Sequence, residues 1–193
     1  LEKGPGLLDR RVLVTAASGG VGYFACQLAR LGGARVVGVV RRAERRQAAL
    51  DAGAHEVVLE SDLERPGRDF GPFDVAVESV GGQTLPLVLR LLTPRGVCVT
   101  LGATAGADVA FNIREFFALG GVTLYGFHLI QDMTVLGNPI GPDLGRLAAL
   151  VADGRLRTPV EIEAPWTDLA AQARRLLDRD LTGKAVLWVG GGH

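Results

Sequence analysis

The residues whose types and spacing best suit chemistry in this chain lie in a glycine-rich turn. From residue 12 the sequence reads Val-Leu-Val-Thr-Ala-Ala-Ser-Gly-Gly-Val-Gly, an apolar run followed by Gly19, Gly20 and Gly22. Glycines let the backbone bend sharply and approach a ligand closely. A helix that starts at such a turn directs free N–H groups and the positive end of its dipole at an anion. The stretch predicts a dinucleotide-binding turn.

The surroundings of the turn strengthen this interpretation. Ala16 stands where the first glycine of a G-x-G-x-x-G motif would lie, so the letters alone are weak evidence. The motif also needs a strand before it, a helix after it and a second strand within a βαβ unit of about 30 residues. The apolar run 36–40 supplies that second strand. The alternative is a tight strand-to-helix turn that binds no ligand.

Basic residues after the second strand indicate which dinucleotide the turn would hold. Arg41 and Arg42 follow that strand and Arg45 lies one turn further, where an NAD-binding fold would carry a carboxylate for the ribose. Guanidinium groups bind phosphate with matching fork geometry, which favours the extra 2′-phosphate of NADPH. We therefore predict NADPH over NADH. The alternative is a solvated helix face on which these arginines pair with Glu44.

The rest of the chain alternates strands and helices. We predict strands at 11–15, 35–40, 56–59, 73–77, 97–101, 122–125, 160–162 and 185–189. Helices are predicted at 20–31, 41–50, 112–118, 143–153 and 168–179, and another from a Gly81-Gly82 turn through Leu92. Residues 60–72 are predicted as a loop with room for a short helix, 94–96 as a turn, and 127–142 as a long irregular stretch. Such alternation predicts an α/β fold, a doubly wound parallel sheet with helices on both faces. A chain of 193 residues is expected to form one domain, 1–193.

Composition narrows the classes of partner. Lysine plus arginine and aspartate plus glutamate both total 21, so the formal net charge is zero and nothing favours nucleic acid or a membrane surface as a partner. No apolar run approaches the ~18 residues of a membrane span. Cys26 and Cys98 lack ligands at metal spacing and are interpreted as small core residues. A cytoplasmic protein without a metal site is expected.

Several motifs together resemble the medium-chain dehydrogenase/reductase superfamily, and within it the zinc-independent quinone oxidoreductase (zeta-crystallin-like) branch. They are the glycine turn with 27–32 (Gln-Leu-Ala-Arg-Leu-Gly), 53–57 (Gly-Ala-His-Glu-Val), 74–82 (Asp-Val-Ala-Val-Glu-Ser-Val-Gly-Gly), Arg95-Gly96 and 183–187 (Gly-Lys-Ala-Val-Leu). The resemblance covers residues 8 to 189. It implies a Rossmann domain of six parallel strands that binds NADPH, with hydride transferred to a small-molecule substrate such as a quinone or another conjugated carbonyl.

The resemblance also implies positions for the cofactor. The implied residues follow the carboxyl ends of strands, where open α/β sheets bind ligands. Ser18, Gly19, Gly20 and Val21 would line the pyrophosphate, and Arg41, Arg42 and Arg45 would hold the 2′-phosphate. Ser79 and Val80 would meet the adenosine or ribose portion. Leu101, Gly102, Ala103 and Phe127 would lie near the nicotinamide or substrate.

Two features of the sequence differ from the family pattern on which these implied positions rest. Related sequences often carry small residues at positions 41 and 42, so the phosphate contacts can differ in detail. The chain opens on Leu1, and we expect a fragment without the family's amino-terminal substrate domain. Because that domain forms half of the active-site cleft, the resemblance implies that the fragment binds the cofactor weakly or not at all and turns over no substrate by itself. The family also pairs its sixth strand across a dimer axis, which makes 122–125 (Val-Thr-Leu-Tyr) the expected edge for a homodimer.

No residue stands out as the catalytic acid or base. His128 follows the sixth strand, but a packed or solvent-facing histidine is the more ordinary role, and no histidine has partners at zinc spacing. A short-chain reductase would need Tyr-x-x-x-Lys, which neither Tyr23 nor Tyr125 begins, and Gly183-Lys184 lacks the spacing of a P-loop. The alternatives that stay open are a non-catalytic NADPH-responsive binding protein and, if the missing domain carries zinc ligands, a zinc alcohol dehydrogenase.

Overall fold

A computed structural model describes residues 6–65, 70–137, 139–178, 180–181 and 183–190 of the chain. The chain divides into two compact units, Leu1–Leu156 and Arg157–His193, and each is described by itself. Whether the chain counts as one domain stays a prediction.

The first unit is built on a six-stranded parallel sheet. Its strands are β1 (Arg11–Val14), β2 (Arg35–Val40), β3 (Glu56–Leu59), β4 (Phe73–Glu78), β5 (Leu92–Thr100) and β6 (Thr123–Gly126). Its helices are α1 (Gly20–Leu31), α2 (Arg46–Asp51), α3 (Thr84–Arg90), α4 (Ile113–Ala118), α5 (Leu129–Thr134) and α6 (Gly141–Ala152), with 3₁₀ turns at Ala43–Arg45 and Glu60–Asp62. The strand order is β3-β2-β1-β4-β5-β6 with every neighbouring pair parallel. The predicted doubly wound Rossmann sheet is confirmed.

The alternation of side chains along the strands explains why helices cover both faces. In β1, Val12 and Val14 join one buried cluster and Leu13 joins another. The first cluster takes Ala25, Cys26 and Ala29 from α1 and Ala49 from α2, whereas the second takes Leu85, Val88 and Leu89 from α3. Successive side chains of a strand point to opposite faces, so apolar strands without polar alternation bury both.

Both cysteines lie in these clusters, as predicted. Cys26 and Cys98 are fully buried, unpaired thiols. Burial raises the pKa of each thiol to about 12, and the nearby charge of Glu78 contributes at Cys98. A thiol that stays protonated is a poor nucleophile and metal ligand, so both cysteines act as core residues.

Several predicted bounds differ from the structure. β5 begins at Leu92 rather than at 97, because Leu92 already pairs with Phe73 before a register shift brings Val97 opposite Val75. The predicted turn at 94–96 is the irregular part of that longer strand, with Arg95 at a φ of 63°.

Two predicted helices and one predicted irregular stretch are also corrected. The predicted helix 41–50 starts as a 3₁₀ turn and becomes α-helical only at Arg46. The turn predicted at Gly81-Gly82 is present, with positive φ angles of 70° and 50°. The helix predicted from that turn through Leu92 is limited to α3, because Leu92 enters β5. The stretch 127–142 was predicted as irregular, but it contains α5, whose first turn is capped by His128.

The described part of the second unit forms one parallel strand pair and one helix. Its elements are β7 (Val160–Pro165), a 3₁₀ turn (Trp166–Asp168), α7 (Leu169–Leu177) and β8 (Lys184–Trp188), with β7 and β8 forming a separate two-stranded sheet. The predicted strand 160–162 is therefore longer, and the predicted helix 168–179 begins at Leu169. Residue 179 lies outside the described residues.

Candidate functional site

The candidate site lies at the carboxyl edge of the central strands. The strand order reverses between β1 and β4, which pair in parallel from Val12↔Val75 to Val14↔Val77. At such a reversal the connections leave in opposite directions and open a crevice beyond the strand ends, where open α/β sheets bind ligands. The turn after β1 and the loops after β4 and β5 surround this crevice.

The turn after β1 takes the sharp shape that the motif requires, although its first glycine is replaced. Ala16 occupies the left-handed region at a φ of 47°, and its carbonyl accepts a hydrogen bond of 2.8 Å from the N–H of Gly19. A Cβ at Gly22 would overlap the Ala16 carbonyl oxygen and lie 2.8 Å from the Ala17 Cα. Only glycine fits at position 22, so helix α1 packs directly against the turn.

The amino end of α1 fits an anion. The N-cap residue of α1 is Gly19, so no N-cap side chain accepts hydrogen bonds from the first N–H groups of the helix. The first turn of α1 also contains no acidic residue. Ser18, Gly19 and Gly20 are half-buried and Val21 is 56% exposed. The first amides of this twelve-residue helix therefore have no acidic side chain in their own turn to neutralise them. A diphosphate would complete this end of the helix.

The arginines that follow β2 differ in their exposure and in their hydrogen bonds. Arg41 and Arg42 are exposed at the carboxyl end of β2. The neighbouring Val39 accepts a hydrogen bond of 3.0 Å from Ala17 N–H, which fixes the end of β2 beside the glycine turn. Arg45 is half-buried in the 3₁₀ turn, and Arg46 donates to the carbonyl of Val57 at 2.6 Å. Arg41 and Arg42 are thus the better placed pair for a phosphate in solvent.

The loop after β4 is held by a residue that sequence reasoning missed. Glu78 ends β4 and is completely buried. It accepts hydrogen bonds from the N–H groups of Val80 at 2.7 Å and of Gly81 at 3.0 Å. Ser79 N–H donates to the hydroxyl of Thr15 at 2.9 Å. The signal in the sequence is a single carboxylate that closes the apolar run 75–77.

The loop after β5 lies directly against the loop after β4. Leu101 N–H donates to the Glu78 carbonyl at 2.9 Å, and Ala105 N–H donates to the Val80 carbonyl at 2.8 Å. A Cβ at Gly102 would lie 2.8 Å from the Ser79 carbonyl oxygen. The two main chains approach so closely that position 102 leaves no room for a side chain.

The predicted cofactor residues therefore lie along one edge of the sheet. Phe127 is half-buried, and its N–H donates to the carbonyl of Thr100 at 2.8 Å, which ties the chain after β6 to the end of β5. Ala103 is exposed in the loop after β5. The roles of these residues in binding stay predictions.

The histidines have structural partners. His128 is exposed, and its Nδ1 accepts a hydrogen bond of 3.3 Å from Gln131 N–H at the start of α5. Nδ1 of His55 accepts from Val36 N–H at 3.0 Å. Partial desolvation and the positive charges of Arg30 and Arg35 lower the pKa of His55 from 6.5. Both of these histidines therefore act as acceptors for main-chain N–H groups.

The described residues contain neither a metal-binding cluster nor a membrane-spanning helix. No group of three or more histidine, cysteine, aspartate or glutamate side chains there is arranged to hold a metal ion. No helix in that part of the chain is long and apolar enough to cross a membrane.

The fold and the site define a Rossmann domain of the dinucleotide-binding class. Residues 20–136 match the zinc-binding dehydrogenase family. The chain belongs to this family of the medium-chain dehydrogenase/reductase superfamily, in its quinone oxidoreductase branch.

Individual relatives agree with this assignment. A quinone oxidoreductase of Salmonella typhimurium is 40% identical over 158 residues, covering 79% of this chain and 48% of that protein. A 2-haloacrylate reductase of a Burkholderia species is 36% identical over 181 residues, covering 91% and 54%. A mycobacterial protein solved in complex with NADPH superimposes with a TM-score of 0.78 at 25% identity, covering 94% of this chain and 57% of that one. The chain spans about half the length of the curated relatives it matches.

Proposed function

We propose that this chain binds NADPH and that the protein carrying it transfers hydride from NADPH to a quinone or another conjugated carbonyl compound. The observation that carries the proposal is the uncapped amino end of α1, packed on the Ala16–Gly22 turn where the strand order reverses. An anionic diphosphate suits that position because main-chain amides and the helix dipole attract it.

Arg41 and Arg42 support NADPH rather than NADH. Both are exposed after β2, and no acidic residue stands between Val40 and Ala43 to accept the ribose hydroxyls of NADH. A charge-assisted hydrogen bond contributes about 1.5–3 kcal/mol, which corresponds to a preference of about tenfold to a hundredfold. The relative solved with NADPH agrees with this preference.

The names of the relatives support the class of hydride acceptor. One is a quinone oxidoreductase and another a 2-haloacrylate reductase, and both substrates place a carbon–carbon double bond next to a carbonyl or carboxyl group. When bound, the nicotinamide supplies the hydride, and the protein supplies orientation and electrostatics. The loops after β4 and β5 would fix the orientation, because their main chains are hydrogen-bonded to each other.

A titration tests the cofactor assignment. We expect the double variant Arg41→Ala/Arg42→Ala to weaken NADPH binding by about tenfold or more and to leave NADH binding nearly unchanged. The double variant Arg35→Ala/Arg114→Ala removes the same charge from exposed positions elsewhere and serves as the control. An unchanged ratio of NADPH to NADH affinity in the first variant would refute the assignment.

An activity assay tests the reaction. We expect the complete protein that carries this chain to oxidise NADPH, followed by absorbance, when a quinone or a conjugated enone is added. NADPH binding without oxidation by any such acceptor would favour a non-catalytic NADPH-responsive binding protein. Activity that is lost on metal chelation would favour an alcohol dehydrogenase.

A further inference from the structure

Glu78 is the buried carboxylate at the centre of the candidate site. It closes β4 and is completely shielded from solvent. A buried carboxylate is unfavourable unless charges or hydrogen bonds compensate for lost water. Among the described residues no lysine or arginine forms a salt bridge with it. Main-chain N–H groups compensate for the lost hydration of the carboxylate instead. Val80 N–H lies 2.7 Å from Oε1, and Gly81 N–H lies 3.0 Å from Oε1 and 3.2 Å from Oε2.

Hydroxyl groups from the two neighbouring strands complete the environment of the carboxylate. The Thr15 hydroxyl, just after β1, lies 3.4 Å from Oε1, and the Thr100 hydroxyl, at the end of β5, lies 3.3 Å from Oε2. The same Thr15 hydroxyl accepts the N–H of Ser79 at 2.9 Å. One side chain therefore connects the ends of β1, β4 and β5, the three strands that border the crevice.

We propose that Glu78 is a positioning residue for the cofactor, an inference that rests on the proposed NADPH-binding function. Its carboxylate sets the position of the 79–81 main chain relative to the glycine turn and the loop after β5. Ser79 and Val80 contact the cofactor in this proposal, so an altered carboxylate would displace binding groups without touching the cofactor itself. Its length and charge both matter, because both oxygens accept hydrogen bonds from the loop.

The variants follow from this geometry. Glu78→Gln keeps the size but replaces one acceptor oxygen with an NH₂ group that faces a main-chain donor. Glu78→Asp keeps the charge but is one methylene shorter. Thr100→Val removes only the β5 hydroxyl. Asp74→Asn is the matched control, because Asp74 lies near the start of the same strand and accepts hydrogen bonds from Arg10 and Arg11 at the opposite edge of the sheet.

The test measures the Kd for NADPH by fluorescence titration, beside thermal midpoints. We expect Glu78→Gln to raise the Kd about tenfold or more, Thr100→Val to raise it a few-fold, and Asp74→Asn to leave it within about twofold. In the double variant Glu78→Gln/Thr100→Val the two effects should be less than additive, because the groups act together. In the complete protein the KM for NADPH should rise while kcat changes little.

The outcomes separate the two proposals. If the unmodified chain and the complete protein both fail to bind NADPH, the proposed function is wrong and this inference falls with it. If NADPH binds but Glu78→Gln leaves the Kd within about twofold, or Asp74→Asn weakens binding equally, only the positioning role is refuted. If Glu78→Gln does not fold, Thr100→Val decides: an unchanged Kd there refutes the role.

Discussion

At the scale of single residues, Ala16 and Gly22 shape the candidate site through one carbonyl group. Ala16 adopts a left-handed conformation, which costs a non-glycine residue some backbone strain. That conformation points its carbonyl to Gly19 N–H and leaves space beside Gly22 only for a hydrogen atom. Position 16 thus adopts a glycine-like backbone conformation without glycine, whereas a side chain at position 22 would overlap the backbone of the turn.

Glycine-to-alanine substitution should have opposite effects on stability at Gly22, which is packed against the turn, and at Gly145, which is not. Gly22→Ala should lower the free energy of unfolding by about 1–3 kcal/mol, because the new methyl group overlaps the Ala16 carbonyl. Gly145→Ala, in α6 with no atom within 4 Å of the added carbon, should raise it by about 1 kcal/mol through helix propensity. Denaturant unfolding measures both changes. A Gly22→Ala protein as stable as the Gly145→Ala protein would contradict the close packing described here.

The lowered pKa of His55 predicts that the stability of the folded chain depends on pH. Its pKa is lowered from 6.5 in the folded chain, and its Nδ1 accepts Val36 N–H only when the ring is neutral. The folded state therefore binds this proton less readily than the unfolded state. The stabilisation is complete above the unfolded pKa near 6.5 and is lost as the pH falls through the lower folded value.

The measurement compares unfolding midpoints at pH 7.5 and 5.5. His55→Asn keeps a side-chain acceptor that does not titrate, so it should lose less stability on acidification than the unmodified chain. Equal losses in the two proteins would show that His55 does not carry this pH dependence.

At the scale of elements, β6 is an edge strand of the six-stranded sheet. It pairs only with β5 in the described sheet, from Val97↔Thr123 to Thr100↔Gly126, so its outer backbone groups can pair with a second copy. Thr123 is exposed on this strand. The homodimer through 122–125 stays a prediction.

Thr123→Lys tests this edge. In a twofold pairing the same strand faces itself, so two lysines would come close together and repel each other. We expect the unmodified protein to be a dimer by light scattering and the variant to shift toward monomer. Thr134→Lys, an exposed threonine on α5, is the matched control. A variant that dimerises as well as the control would exclude this edge.

The elements also show what the sequence could predict and why. α1, β2 and β3 have their predicted bounds because each is an apolar or amphipathic run between glycines or charged residues. The start of β5 was missed because Leu92 joins the strand only through pairing with Phe73 across a register shift. α5 was not predicted because its N-cap residue is His128, and histidine is not among the residues that usually cap helices.

The candidate site was predictable in its segments but not in its internal support. Local patterns identify the glycine turn, the arginines after β2 and the ends of the strands. The hydrogen bonds of Glu78 join residues 15, 78 and 100, which are distant in the sequence. Only the folded sheet brings them together, so no spacing rule could find them.

At the scale of the whole molecule, the parallel sheet places the turn after β1 and the loops after β4, β5 and β6 along one edge. The chain belongs to the zinc-binding dehydrogenase family and spans about half the length of the curated relatives it matches. The central claim is that NADPH occupies this edge. Its diphosphate would rest on the amides of residues 18–21, and its 2′-phosphate would contact the arginines after β2.

A crystal structure of the chain grown with NADPH tests this claim most directly. We predict density for the diphosphate at the amino end of α1 and for the 2′-phosphate within hydrogen-bond distance of Arg41 or Arg42. NADPH bound elsewhere on the molecule, or a diphosphate at α1 with the 2′-phosphate directed away from both arginines, would contradict the account.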